Sequence, residues 1–68
     1  MLIEPIAIAS FPHEQKLAKE ITEILAADGI HCSIRGSRVY EILVPAAERD
    51  RAAAVLALSA VAGSLRFR

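Results

Sequence analysis

Leu17, Ala18, Ile21, Ile24 and Leu25 recur at the period of a helix, and within a few residues the pattern changes to a period of two. The positions i, i+1, i+4, i+7 and i+8 form a single apolar stripe. Lys16–Glu20 and Lys19–Glu23 lie on the other side at i, i+4 spacing, where opposite charges meet. Asp28-Gly29-Ile30 is a stop signal, with glycine suited to the left-handed cap and Ile30 placed for the accompanying apolar contact. Ile30, Cys32 and Ile34 then alternate with His31, Ser33 and Arg35, as in a half-buried strand. A one-sided helix that runs into a one-sided strand must bury both faces against a second layer.

The flanking segments extend this plan. Residues 2–9 are apolar apart from Glu4 and read as a strand whose regular pairing begins near residue 6, after Pro5. Ile6 and Ile8 fall on one face, Ala7 and Ala9 on the other. Ser10-Phe11-Pro12 reads as a helix opening, with Ser10 as cap and Pro12 in the first turn. Gly36-Ser37-Arg38 turns the chain, and Tyr40, Ile42 and Val44 alternate with Val39, Glu41 and Leu43. A two-residue turn would set Cys32 opposite Glu41, placing a charge in the apolar face. A three-residue turn pairs Ile34 with Tyr40, Cys32 with Ile42 and Ile30 with Val44, and is the expected register.

Pro45 ends that strand. Residues 46–61 are rich in alanine and leucine and predict a second helix, stopped at Gly63. Ser64-Leu65-Arg66-Phe67-Arg68 alternates again and predicts a short fourth strand. The order βαββα plus this strand, undivided by any linker or repeat, predicts one domain over residues 1–68. Its fold class is α+β: a ferredoxin-like two-layer sandwich, an antiparallel sheet with both helices on one face.

Composition narrows the function. The chain is 54% hydrophobic, too apolar for intrinsic disorder, and eight bases balance eight acids. One cysteine excludes a disulfide framework and a cysteine-cluster zinc site. The longest weakly polar stretch, residues 52–63, is too short to span a bilayer, which takes about 20 residues. Met1-Leu2-Ile3-Glu4-Pro5 lacks the basic region of a secretory leader. The expected location is cytoplasmic, without a membrane partner.

Two junctions carry a family likeness. Ile24-Leu25-Ala26-Ala27-Asp28-Gly29-Ile30 is a helix-cap-strand segment. Ile42-Leu43-Val44-Pro45-Ala46-Ala47-Glu48-Arg49-Asp50-Arg51-Ala52 is a V-P-x-x-D/E…A strand-to-helix junction. Together, over residues 6–58, they resemble a family of small bacterial domains described as prokaryotic signal-transducing proteins. The resemblance implies the βαββα layout and a regulatory or binding role, and it brings no active-site residue with it. The short Gly36-Ser37-Arg38 turn departs from the longer hairpin of many members.

Candidate chemistry is sparse. His31 and Cys32 point to opposite faces of a strand and cannot share a metal ion there. His13 and Glu14, near a helix start, lack the further ligands that a metal requires. The glycines Gly29, Gly36 and Gly63 serve caps and a turn, and no nucleophile–base pair emerges. The expectation is no catalysis, no cofactor and no metal.

Surfaces offer more. Residues 52–62 carry apolar side chains around nearly the whole helix, so Ala54, Leu58 and Val61 are candidates for a contact with a protein partner or a second copy. The open sheet face would carry Val39 and Leu43, flanked by Arg35 and Arg66, as a ligand floor or dimer interface. A domain of this size buries a modest share of its surface, which favours homo-oligomers. Residues 1–28 hold two bases and five acids (−3), whereas residues 29–68 hold six bases and three acids (+3). Arg35, Arg38, Arg66 and Arg68 suggest nucleic-acid binding as an alternative, although such sheets stack bases on exposed aromatics that this face lacks. The reading is a small regulatory module that acts through a protein or small-ligand contact.

Overall fold

The computed structural model describes residues 4–68. Met1, Leu2 and Ile3, read above as the start of the apolar run, lie outside the described residues. Six elements follow in order: β1 (Pro5–Pro12), α1 (Gln15–Ala27), β2 (Ser33–Arg35), β3 (Val39–Pro45), α2 (Arg49–Ala57) and β4 (Arg66–Phe67). The strands form one sheet in the order β2-β3-β1-β4, and every neighbouring pair is antiparallel. Leu17, Ile21 and Leu25 of α1 and Ala52 and Leu56 of α2 share one core cluster with Ile42 and Val44, so both helices cover the same face. The shortest extent of the molecule, 19 Å, is that of one sheet and one helical layer. The α+β class and the fourth strand are as expected.

Helix α1 ends as its residues dictate. Gly29 has φ +75°, its N–H donates to the Ala26 carbonyl at 3.0 Å, and the Ile30 N–H reaches back to Leu25 at 2.9 Å. Both bonds belong to a Schellman cap, and Ile30 is buried behind it.

The start of α1 differs from expectation. Ser10-Phe11-Pro12 continues β1 instead of opening the helix, and α1 begins at Gln15 after Glu14, which makes no side-chain cap bond. The reason is a bulge. Ile6 pairs with Val44 and Ala7 with Leu43, but Ala9 pairs with Ile42, leaving Ile8 as the extra residue. Beyond it the side-chain phase is inverted. Ala9 therefore joins the covered face instead of the open one, and Phe11 follows it, opposite Tyr40. Ile8, Ala9 and Phe11 are all buried in the core. Burying a phenylalanine outweighs the weak preference of Ser-Phe-Pro for a helix start.

The hairpin keeps its expected faces but slides by two residues. Ser33 pairs with Leu43, Ile34 with Ile42 and Arg35 with Glu41, in place of Ile34 with Tyr40. A slide of two leaves every side chain on its own face, so burial alone does not separate the two registers. Val39 and Tyr40 instead pair across to Pro12 and Phe11 of β1. Gly36, at φ +126°, lets the loop pass close to β3: a Cβ there would stand 2.0 Å from the Val39 carbonyl oxygen.

Helix α2 is shorter than alanine content predicts. A 3-10 turn at Ala46–Glu48 precedes it, and it ends at Ala57 rather than at Gly63. The Ser59 hydroxyl donates to the Leu56 carbonyl at 2.6 Å, satisfying one of the terminal acceptors. The chain then folds back through a 3-10 turn at Ala62–Ser64, which brings Val61 and Leu65 into the core. Val61 is thus an internal residue, contrary to its expected place on a partner-facing helix side.

Candidate functional site

The register fixes what the uncovered sheet face displays. Paired residues of an antiparallel sheet point the same way, so Arg35, Glu41, Ser10 and Arg66 form one row across all four strands. Ala7, Leu43 and Ser33 form the adjacent row. Arg35 Nε lies 3.3 Å from Glu41 Oε1, and the Arg68 guanidinium bonds the other oxygen of the same carboxylate. Leu43 beside this network is only 7% exposed and lies outside the core cluster. It is therefore no free interface residue, unlike Val39 at 53% exposure.

The four arginines singled out in the sequence thus divide into two pairs. Arg35 and Arg68 share Glu41. Arg38 and Arg66 have no carboxylate partner among the described residues and instead line one crevice of about 570 Å³. The crevice opens where β1 outlasts β4: Phe11 and Pro12 continue beyond the Ser10–Arg66 pair, while residues 63–65 approach from the 3-10 turn. Leu17, Val39 and Leu65 give it apolar walls, and Ser10, Ser64 and Glu14 add polar atoms. Ser10 therefore supplies a sheet side chain to a cavity rather than a helix cap.

A chain of rings supports one wall. Phe11 and Tyr40 meet edge to face, Tyr40 lies 4.5 Å from the His13 ring between centroids, and Tyr40 Oη is 2.9 Å from His13 Nε2. This bond crosses from β3 to the β1–α1 connection and holds Pro12 and Glu14 at the crevice. Arg51 ties the two helices together, donating to Glu48 Oε2 at 3.2 Å and to the Asp28 carbonyl at the end of α1, with Asp28 Oδ2 in an ion pair at 3.6 Å. A cation is favoured at that negative helix end.

Other sequence candidates remain apart. His31 is exposed, and Cys32 is half-buried against the core with its thiol 3.9 Å from Thr22 Oγ1. Burial pushes the Cys32 thiol above its ordinary value, and the Thr22 hydrogen bond offsets this in part. Among the described residues, no three His, Cys, Asp or Glu side chains gather where a metal ion would bind, and no helix is long and apolar enough to cross a membrane. Leu58 is 91% exposed and Ala54 is also exposed, and neither lines the crevice.

Sequence reasoning did not find Ser10, Leu17, Gly63 or Ser64 as neighbours of Arg38 and Arg66. No spacing links them; the bulge and the chain reversal after α2 bring them together. Comparison with known proteins gives no match to a family model, a curated protein or a solved structure.

Proposed function

We propose that this chain is a small regulatory binding module, cytoplasmic and of the prokaryotic signal-transducing kind, which acts by holding a ligand rather than by catalysis. The crevice bordered by Arg38 and Arg66 carries this reading. Its size falls within the ~300–1,000 Å³ typical of small-ligand sites, and it combines apolar walls with a few polar groups. Arginine stays protonated and fixes charge, so these groups suit recognition more than proton transfer. The strand order and the helices after β1 and β3 support a ferredoxin-like assignment.

Amide NMR with a mixed set of anionic, neutral and cationic fragments tests the reading. Shifts should cluster at Ser10, Leu17, Val39, Gly63 and Leu65. Shifts confined to other surfaces would refute it. The exposure of Leu58 and Val39 also supports a homodimeric form. Sedimentation equilibrium of wild type and Leu58→Glu tests that form, which fails if both are monomers at high concentration.

The alternative, nucleic-acid binding, is favoured by one observation: Phe67 is 40% exposed at the sheet edge, although its pairing with Ala9 turns it to the face opposite Arg66. Against it, Glu41 already engages two of the four arginines. Oligonucleotide affinity that falls steeply with salt would favour this alternative.

A further inference from the structure

Resting on the ligand-binding reading, we propose that the crevice takes a hydroxylated phosphate monoester, a sugar phosphate in chemical class, with its phosphate held between Arg38 and Arg66.

Charge selects the anion. Of six arginines, Arg35 and Arg68 share Glu41, Arg49 lies 3.4 Å from Asp50, and Arg51 joins Glu48 and Asp28. The two left without a carboxylate partner among the described residues both border the same cavity, one from the β2–β3 loop and one from β4. Two cations bordering one cavity favour an anion there. Two guanidinium forks match a phosphate monoester, which carries about −1.5 to −2 charge at neutral pH, better than a single carboxylate. Neither the Ser10 nor the Ser64 hydroxyl is engaged by another side chain among the described residues, leaving both free to donate to the remaining phosphate oxygen.

Glu14 selects the rest of the ligand. Glu14 borders the same cavity, and its negative charge would disfavour a second phosphate. It suits hydroxyl donors, and the walls of Leu17, Val39 and Leu65 suit the C–H faces of a sugar ring. The ligand is therefore anionic at one end only. This argues against a nucleic-acid backbone, which repeats its charge along the strand.

Gly63 provides a steric test. Its φ is not positive, and a Cβ built on it meets nothing within 4 Å, so the backbone tolerates a side chain at this point of the cavity rim.

The experiment is titration calorimetry with a hexose monophosphate, inorganic phosphate alone, a hexuronate, a hexose bisphosphate and a single-stranded oligonucleotide. Thermal melts confirm that each variant is folded. The hexose monophosphate should bind saturably, more tightly than the other four. Arg38→Gln and Arg66→Gln should each weaken it roughly tenfold or more, as loss of a charge-assisted fork implies. Glu14→Gln should weaken the hexose monophosphate but not inorganic phosphate, and should narrow the gap to the bisphosphate. Gly63→Phe should abolish binding, and Arg49→Gln should leave it unchanged.

No saturable binding to folded wild type, or equal binding by Arg38→Gln and Arg66→Gln, overturns the proposal. A hexuronate that binds as well as the monophosphate overturns it too, as does tighter oligonucleotide binding that depends on Arg35 and Arg68. If neutral fragments fill the crevice while every phosphate fails, this inference falls and the binding-module reading stands. If no probe enters the crevice, both fall.

Discussion

The rings of Phe11 and Tyr40 meet edge to face, with centroids 5.4 Å apart and planes inclined at 64°. Strict alternation along β1 would send Phe11 to the opposite side of the sheet; the extra residue at Ile8 turns it inward. Phe11 is 2% exposed, whereas Phe67 on β4 is 40% exposed. Phe11→Ala should therefore cost about 3–5 kcal/mol, much of the stability of a domain this small. Phe67→Ala should cost no more than about 1 kcal/mol. Urea midpoints of the two variants measure the contrast, and similar midpoints would contradict the inverted phase.

The three glycines should rank by backbone demand. Gly29→Ala places a side chain at φ +75° and should cost about 1–2 kcal/mol. At roughly 4–8 °C per kcal/mol for a domain of this size, the melting temperature should drop visibly. Gly36→Ala should be worse, because its Cβ would collide with the Val39 carbonyl. Gly63→Ala should match or slightly exceed wild type. Any other order of melting temperatures counts against the described loops.

Leu56 and Leu58 stand two residues apart at 0% and 91% exposure. Leu56→Ala should destabilise by about 2–5 kcal/mol, and Leu58→Ala by less than about 0.5 kcal/mol. Had α2 continued to Gly63, Val61 would not have turned inward. Val61→Ala should therefore also behave as a core truncation in chemical denaturation.

Cys32 sets an alkaline limit. Its thiol titrates above the ordinary value in the folded chain, mainly through burial. The folded state then holds a proton that the unfolded state releases first. This contribution is fully present below the ordinary thiol range and is lost as pH rises through the raised folded value. Alkylation of folded protein at pH 8 should be slower than that of the urea-unfolded chain, and Cys32→Ser should flatten the decline in stability at alkaline pH.

The legible parts of the fold were those whose signals are local and repeat. The α1 stripe, its Gly29 cap and the alternation of β3 each needed only a few adjacent residues. The hairpin faces were legible but its slide was not, because residues 34 and 42 bury as well together as residues 34 and 40. The end of α2 was hidden by alanine, which favours a helix everywhere and marks its end nowhere; the Ser59 bond to Leu56 sets that end. The crevice was the least legible feature. Its arginines were visible as charges, but their division rests on Glu41 lying between Arg35 and Arg68, a relation made by three strands together.

That arrangement gives one carboxylate unusual leverage. Glu41 shares its one negative charge between cations contributed by both outer strands or their ends, so the electrical character of the uncovered sheet turns on a single position. Glutamine there would leave the backbone and the buried layer untouched while removing the one negative charge among Arg35, Arg66 and Arg68. Its attraction for polyanions should then rise, a shift of partner preference one substitution away.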